Sequence, residues 1–273
     1  MLKTSLALTV AISLFSTAAT AHEVWLEPDV WVVPKGSVIA AQMLNGEELR
    51  GQKLSWQPSS IKRAEKWEGD SRDVLEGRLG DIPAINTSAN EDGLLTLLYE
   101  SEHNVLTYDS YEKFTSFLDE KGFERLIAEH DNRSLPKERI REAYSRHAKA
   151  LVAVGSGQGS DAPRGLEIEL IALDNPYTAD LTEPLRFQIM YRDAVMPDNR
   201  VTLFDRAPDG TVATLTQQAD VRGTVAFDIT PGHTYLVDTV MIRPTSRELL
   251  VQTKGAVWES LWASLTFQVP ADR

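Results

Sequence analysis

The chain has 273 residues, contains no cysteine and carries a formal net charge of −12. A negative charge of this size repels nucleic acid and anionic lipid, so neither is an expected partner. Because disulfides are impossible without cysteine, stability has to come from buried apolar area, and the length is sufficient for one large or two small domains.

Residues 1–21 have the composition of a secretory signal peptide. Lys3 supplies a positive charge near the start, the apolar run LALTVAISLF follows, and small residues at 19–21 form a cleavage site. The apolar run is shorter than the roughly 20 apolar residues that span a bilayer, and no later segment approaches that length. We therefore expect an exported, periplasmic protein that begins at His22 and has no transmembrane segment in its mature part.

Residues 22–154 are predicted to form a β-sandwich that carries a helical insert. Up to about residue 108, strand-like runs rich in Val, Trp and Leu are separated by turn residues, and among these runs are HEVWLEPDVWVV, SVIAAQML and GLLTLLYES. Many short strands at this spacing are typical of two antiparallel sheets packed face to face.

The spacing of apolar residues changes between about 110 and 150, where we expect two helices. Phe114, Phe117 and Leu118 lie at helical spacing. The second helix would begin near Ser134, which is suited to cap it. Its apolar face would consist of Ile140, Ala143, Tyr144, His147 and Leu151.

Residues 155–165, GSGQGSDAPRG, are predicted to be a linker because they are rich in Gly and Ser and nearly devoid of apolar side chains. After them, residues 166–273 contain seven strand-like runs with short turns such as Asp209-Gly210. This pattern predicts an immunoglobulin-like or prealbumin-like sandwich. The expected fold class is mainly β, with two sandwich domains and a short helical insert between them.

The sequence contains no signature of a known enzyme mechanism. It lacks a nucleophile elbow and the glycine motifs that bind phosphates or dinucleotides. His22 and Glu23 begin the zinc motif HExxH, but residue 26 is leucine. We therefore expect no catalytic activity and no organic cofactor.

His22 is the leading candidate for a metal ligand. After signal cleavage, its α-amine and its imidazole would offer two nitrogens from one residue, which suits Cu²⁺ or Ni²⁺. The alternative is that histidine is merely tolerated as the first residue after a signal peptide.

His103 and His147 are the candidates to complete such a site. His147 would lie on the apolar face of the second predicted helix, where a hydrogen-bonded core histidine is the alternative. His103 follows a predicted strand, on a loop beside Glu102. His130 and His233 are interpreted as a helix-end residue and a turn residue.

The opening AHEVWLEP resembles the start of the DUF4198 family of exported bacterial proteins, also described as NikM-like, the periplasmic component of cobalt/nickel uptake systems. Further similarity lies in LTYDSYEKFTSFLDEKGF, YSRHAKALVAVG, GLEIELIALDNPYT, PGHTYLVDTVMIRP and VWESLWASLTFQVP. The resemblance implies a periplasmic protein with a prealbumin-like C-terminal sandwich that handles nickel or cobalt and has no known enzymatic activity. Of the family's metal ligands, only the histidine after the cleavage site corresponds to a residue here, His22. Many NikM-like members have a membrane segment, which this sequence lacks.

The main hypothesis is an exported protein that binds Ni²⁺, Co²⁺ or Cu²⁺ through His22, with His103, His147 or a nearby carboxylate. It would deliver the ion to an inner-membrane importer or buffer it, and Glu23 or Asp109 could orient the ligand ring. A second hypothesis is a non-metal binding or scaffold module for a carbohydrate or protein partner. A third is a copper oxidoreductase with an N-terminal histidine brace, which needs a second histidine beside the first.

Overall fold

The chain folds mainly into β-strands, which confirms the predicted fold class. The computed structural model describes residues 22–272, and the structure is 49% strand and 11% helix. The strands are β1 (Glu23–Pro28), β2 (Val32–Val33), β3 (Val38–Glu47), β4 (Arg50–Leu54), β5 (Ile61–Glu68), β6 (Ser71–Val74), β7 (Ile85–Ser88), β8 (Gly93–Ser101), β9 (Asn104–Tyr108), β10 (Ile140–Val154), β11 (Ile168–Ala172), β12 (Leu185–Tyr191), β13 (Ala194–Val195), β14 (Arg200–Arg206), β15 (Val212–Gln218), β16 (Thr224–Phe227), β17 (Thr234–Pro244) and β18 (Trp258–Gln268). The α-helices are α1 (Tyr111–Lys121), α2 (Arg125–Asn132) and α3 (Arg247–Gln252).

The predicted signal peptide, residues 1–21, lies outside the described residues. None of the helices within residues 22–272 has the length and apolar character that a membrane crossing requires.

Three sheets form the three layers of the molecule. The central sheet has ten strands in the order β15-β14-β17-β18-β10-β8-β5-β6, and β2 and β9 also pair with β10. The first sheet contains β1, β3, β4 and β7, and the third sheet contains β11, β12, β13 and β16.

Alternating residues of β18 show that the first and third sheets cover opposite faces of the central sheet. Ser264 and Thr266 donate hydrogen bonds of 2.7 and 2.5 Å to the carbonyl oxygens of Val24 and Leu26 in β1. Leu265 points the other way and is buried in a core shared with the third sheet. The central sheet is therefore the middle layer.

Each face of the central sheet has its own apolar core. The core toward the third sheet includes Leu151, Phe187, Leu203, Val237 and Leu265. The core toward the first sheet includes Leu26, Ile39, Leu97, Ala150 and Val152. The helices α1 and α2 extend that same side with a cluster that includes Phe114, Leu118, Leu126, Trp258 and Trp262. Each large apolar side chain contributes about 1.5–3 kcal/mol when fully buried, which is how a chain without disulfides reaches stability.

Strands from both predicted domains are hydrogen-bonded in the central sheet. β10 precedes residues 155–165 and β18 follows them, yet the two strands pair in parallel. The intervening segment is held against the fold, because Asn175 donates hydrogen bonds to the carbonyls of Gly157 and Gly159, both at 2.8 Å. Asp161 in the same segment is buried. The domain division at this segment stays a prediction.

The first predicted helix is confirmed, whereas the second is wrong. Phe114, Phe117 and Leu118 are buried on one face of α1, and Ser110 caps its first turn. The predicted second helix is replaced by the strand Ile140–Val154, which is β10. Because β10 lies in the middle of the central sheet and is buried on both faces, its apolar residues do not alternate. A helical spacing therefore arises in a strand.

Candidate metal-binding site and a buried ionic group

His22 directly precedes β1, and the pairing of β1 with β3 anchors it. Glu23 lies opposite Gly46 in the antiparallel register. The imidazole Nε2 of His22 is 3.7 Å from Oε1 of Glu47, and the two side chains are 41% and 53% exposed. Both residues line an open cavity of about 520 Å³. An imidazole and a carboxylate therefore face each other in a place that a solvated ion can reach.

The turn after β3 determines where Glu47 lies. Glu48 and Leu49 connect β3 to β4, and both have positive φ angles, 51° and 57°. This is the backbone conformation of a type I′ hairpin turn. Leu49 is buried in one apolar cluster with Trp25, and this burial offsets the strain of a left-handed leucine. The tight turn thus fixes the end of β3, and the register of β1 with β3 places that end next to His22.

His103 lies in the turn between β8 and β9, as expected, but it belongs to a different ionic group. Its Nε2 is 3.2 Å from Oε1 of Glu259. Arg243 donates two hydrogen bonds, of 2.7 and 2.9 Å, to the same carboxylate. Burial alone would raise the pKa of Glu259, but the hydrogen bonds from His103 and Arg243 lower it to about 2. His103 therefore has an ionised partner of its own.

His147 lies in β10 rather than on a helix, and it is buried. Its Nδ1 is 3.1 Å from the carbonyl oxygen of Trp262, and its Nε2 is 3.8 Å from Oε1 of Glu100. Burial lowers the pKa of His147 to about 4, so the ring is neutral at pH 7. Side-chain alternation places His147 on the same face as Leu151, toward the third sheet. The central sheet therefore separates His147 from His22, which lies on the first-sheet side.

The structure does not bring the three candidate histidines together. Within residues 22–272, no group of three or more His, Cys, Asp or Glu side chains is placed to hold one metal ion. His103 and His147 contact other partners, whereas His22 lies beside Glu47. A metal role for each histidine stays a prediction. The structure identifies Glu47 as the carboxylate next to His22.

Four charged side chains that the sequence analysis did not single out meet between the central sheet, β1 and α1. We call them the Arg146 group, and they are Glu23, Lys121, Arg146 and Asp238. Nζ of Lys121 is 3.2 Å from Oε1 of Glu23. Burial, reinforced by the charge of Glu23, raises the pKa of Asp238 to about 7. Burial also raises the pKa of Glu23.

Arg146 is the least satisfied member of this group. It is 7% exposed, and its Nε and Nη1 have no hydrogen-bond partner among residues 22–272. Its guanidinium carbon lies 4.1 Å from the ring centroid of Trp262 and 5.0 Å from that of Tyr144. The sequence signal for this group is a charge inside an apolar strand, such as Asp238 in TYLVDTVMI.

The fold and these groups define a three-layer, mainly β protein with buried ionic groups on both faces of its central sheet. The family described as "Domain of unknown function (DUF4198)" matches residues 19–243. The chain therefore belongs to the DUF4198 family. A search of curated proteins finds no match.

Three solved structures resemble the chain only weakly. A tetra-tandem repeat in the extending region of a large adhesion protein has a TM-score of 0.23 and 9% identity, over 92% of this chain and 50% of that chain. The D0-D1 domain of Intimin has a TM-score of 0.21 and 10% identity, over 89% of this chain and 97% of that chain. Salmonella alpha-2-macroglobulin reacted with methylamine has a TM-score of 0.22 and 10% identity, over 91% of this chain and 15% of that chain. The chain thus spans half of the adhesion-protein structure, and scores this low carry no argument about fold or function.

Proposed function

We propose that this DUF4198 protein is exported to the periplasm and binds Ni²⁺, Co²⁺ or Cu²⁺ through His22, as a NikM-like role requires. It would deliver the ion to an inner-membrane importer or buffer it. The observation that carries the proposal is the separation of 3.7 Å between Nε2 of His22 and Oε1 of Glu47. Two donor atoms on one ion lie about 3 Å apart, because each metal–ligand bond is about 2 Å long. A small side-chain rotation brings both atoms onto one cation.

Signal cleavage before His22 supplies a third donor. The new α-amine and the imidazole belong to one residue, so they close a chelate ring around the ion. Cu²⁺ and Ni²⁺ favour such nitrogen ligands in tetragonal geometry, and Glu47 adds a carboxylate oxygen. Because the amine and the imidazole bind metal only when deprotonated, metal affinity falls as the pH falls.

The surroundings of β1 support the proposal, because they restrict the movement of His22. The carbonyl oxygens of Val24 and Leu26 accept hydrogen bonds from Ser264 and Thr266 of the central sheet. β1 is also paired along its length with β3. A ligand at the start of a doubly anchored strand loses little conformational entropy on binding metal.

The test compares two chains, one beginning at His22 and one with a single alanine inserted before it. Isothermal titration with Cu²⁺, Ni²⁺ and Co²⁺ measures the affinity of each. We expect the inserted alanine to weaken Cu²⁺ binding by more than about tenfold, because the amine and imidazole no longer belong to one residue. Mass spectrometry of the exported protein establishes whether it begins at His22. Equal affinity of the two chains rejects the chelate.

The carboxylate is tested separately with Glu47→Gln. Its matched control is Glu76→Gln, an exposed glutamate that does not line the His22 cavity. We expect the first substitution to weaken metal binding by several-fold and the control to leave it unchanged. The same loss in both variants would mean that the overall negative charge, rather than this carboxylate, attracts the ion.

One observation favours the alternative of a non-metal binding module. β15 is the edge strand of the central sheet, and all its residues after Val212 are exposed. An exposed edge of this kind can accept a strand from a protein partner. The protein is purified without chelators or metal-affinity resin to test this alternative. Absence of Ni, Co and Cu from the preparation, together with a retained protein or glycan partner, supports it.

We propose binding rather than catalysis. A copper oxidoreductase with a histidine brace needs a second imidazole at the His22 metal, and His103 and His147 instead contact Glu259 and Trp262. Production of hydrogen peroxide by the copper-loaded protein contradicts this assignment.

A further inference from the structure

We propose that a cavity between the first sheet and the central sheet binds a small organic molecule that carries a carboxylate. The cavity has a volume of about 470 Å³ and is lined by residues of both sheets. Small-molecule sites usually have volumes of about 300–1,000 Å³. His22 and Glu47 do not line this cavity, so the site is distinct from the proposed metal site.

Arg146 is the group that points to the ligand. Its side chain lines the cavity, is 7% exposed, and has no acceptor for Nε or Nη1 among residues 22–272. Buried donors nearly always have a partner, so two unpaired nitrogens on one guanidinium indicate that an acceptor is supplied from outside the chain. A carboxylate is the acceptor that forms strong, charge-assisted hydrogen bonds with a guanidinium.

Neighbouring groups hold Arg146 in place without occupying those two nitrogens. The rings of Trp262 and Tyr144 lie against the guanidinium, with centroids 4.1 and 5.0 Å away. The backbone nitrogen of Arg146 donates a hydrogen bond of 2.9 Å to Oγ of Ser101. Contact with aromatic rings covers the faces of a guanidinium and leaves its edge available for hydrogen bonds.

The lining of the cavity is positive although the protein is acidic. Lys53 and Arg146 are its charged residues, and no Asp or Glu of the described chain lines it. The whole chain, in contrast, has a formal net charge of −12. A positive pocket on an acidic surface attracts anions and disfavours cations.

The acidic members of the Arg146 group do not neutralise this pocket. Lys121 pairs with Glu23 at 3.2 Å, and neither Glu23 nor Asp238 accepts a hydrogen bond from Nε or Nη1 of Arg146. The pair Lys121 and Glu23 has no net charge when both are ionised. Nε and Nη1 of Arg146 therefore have no acceptor among these groups and can donate to an incoming anion.

The apolar part of the lining determines the rest of the ligand. Val24, Met43, Leu54 and Ile61 contribute apolar surface from strands of both sheets. A bare inorganic anion would leave this surface in contact with water, whereas a carboxylate on an apolar or aromatic body covers it. The occupant that fits is a small carboxylic acid with an apolar body.

The experiment uses benzoate as the probe, with the chain that begins at His22. Benzamide has the same ring and no charge, and acetate has the charge and no ring. We expect saturable benzoate binding at millimolar or lower concentration, measured by NMR titration, with shifts centred on Tyr99 and Tyr144. Benzamide and acetate should each bind at least about tenfold more weakly, since one lacks the charge-assisted hydrogen bonds and the other lacks the apolar contact.

Variants locate the site and keep the test decisive. Arg146→Lys removes the guanidinium with its Nε and Nη1 donors and should weaken benzoate binding about tenfold, whereas the exposed control Arg78→Gln should not change it. If near-ultraviolet circular dichroism shows that Arg146→Lys is unfolded, the more exposed Lys53→Gln replaces it, with a loss of about threefold expected. The proposal is overturned if benzamide binds as tightly as benzoate, or if the folded variants bind benzoate as tightly as the unsubstituted protein. It is also overturned if benzoate shows no saturable binding at millimolar concentration.

The metal proposal and the carboxylate proposal fail independently. The chain with an alanine inserted before His22 should lose metal affinity and keep its benzoate affinity. Loss of benzoate binding in that chain would mean that the carboxylate binds at the N-terminus, which overturns the assignment to Arg146.

Discussion

Arg146 and Lys149 are close together on β10, yet they point to opposite faces of the central sheet, and both are buried. Nζ of Lys149 donates to Oδ2 of Asp161 at 2.8 Å, Oε1 of Glu169 at 3.0 Å and the carbonyl of Leu170 at 3.1 Å. Arg146, in contrast, has two nitrogens without an acceptor. The two cations differ in hydrogen-bond satisfaction rather than in burial. This difference separates a charge that holds the fold together from one that a ligand can use.

The partners of Lys149 are themselves satisfied by the backbone. Glu169 accepts hydrogen bonds from the backbone nitrogens of Arg164 and Leu166 at 2.9 and 3.3 Å. Asp161 accepts one from the backbone nitrogen of Ala172 at 3.0 Å. We call Lys149, Asp161 and Glu169 the Lys149 group, and it ties the central sheet to the third sheet and to the segment predicted to be a linker.

The largest effect is expected from Lys149→Met, which removes the cation and leaves Asp161 and Glu169 buried without a counter-ion. Breaking a buried ion pair from one side costs about 3–5 kcal/mol, and we expect a loss of that size in the free energy of unfolding in urea. The control is Lys35→Met, whose exposed ion pair with Glu91 should contribute little to the free energy of unfolding. Similar losses in the two variants would show that the Lys149 group does not stabilise the fold.

Two buried groups on opposite faces of the central sheet should make contributions to stability that change with pH in opposite directions. Asp238, on the first-sheet side, has a folded pKa raised from 3.8 to about 7. Between those values the folded protein keeps a proton that the unfolded chain has lost, so the contribution of Asp238 to stability falls as pH rises. His147, toward the third sheet, has a folded pKa lowered from 6.5 to about 4. Here the unfolded chain binds the extra proton, so the contribution of His147 rises with pH.

Single variants distinguish the pH dependence of stability that Asp238 contributes from the one that His147 contributes. Urea unfolding between about pH 4 and pH 7 should show stability rising with pH more steeply in Asp238→Asn than in the unsubstituted protein. In His147→Gln, the slope of stability against pH should instead be lower than in the unsubstituted protein, because the contribution that rises with pH is lost. Three identical pH profiles would contradict the assignment of both groups.

The smallest effect is expected from Arg146→Met. This substitution removes a buried guanidinium that lacks acceptors and replaces it with apolar volume, so little hydrogen-bond energy is lost. Lys121 remains to pair with Glu23, and Asp238 can retain its proton. We expect the free energy of unfolding to change by about 1 kcal/mol or less. If Arg146→Met lowers the free energy of unfolding as much as Lys149→Met does, then Arg146 stabilises the fold as Lys149 does, and the contrast between the two cations is wrong.

The features that depend on local sequence could be predicted. α1 follows from Phe114, Phe117 and Leu118 at helical spacing, with Ser110 before them and Gly122 after them, and Gly122 has the left-handed conformation of a helix end. The strand-rich character follows in the same way from short apolar runs between turn residues.

The features that depend on distant partners could not be predicted. The apolar residues of β10 have the spacing of a helix because β10 is buried on both faces and is flanked by β8 and β18. Its pairing with β18 is non-local, since Glu142 lies opposite Trp258. The loop position of His103 is visible in the sequence, but its partner Glu259 is 156 residues away. Glu47 reaches His22 only through the register of β1 with β3. A strand prediction for 140–154 would have placed Arg146 inside the molecule, but it would not have revealed the missing acceptors.

The position of β18 has a consequence for how the protein is made. β18 is the last strand of the described chain, yet it lies between β17 and β10 in the middle of the central sheet. While the chain emerges from the ribosome, the edges of β10 and β17 that β18 will cover stay open until residues 258–268 have been synthesised. Non-local pairing of this kind delays folding, so the sheet stays incomplete until residues 258–268 are available to pair. A late-closing sheet keeps the nascent chain unfolded for longer, and an unfolded chain is the form that can be threaded through a narrow channel.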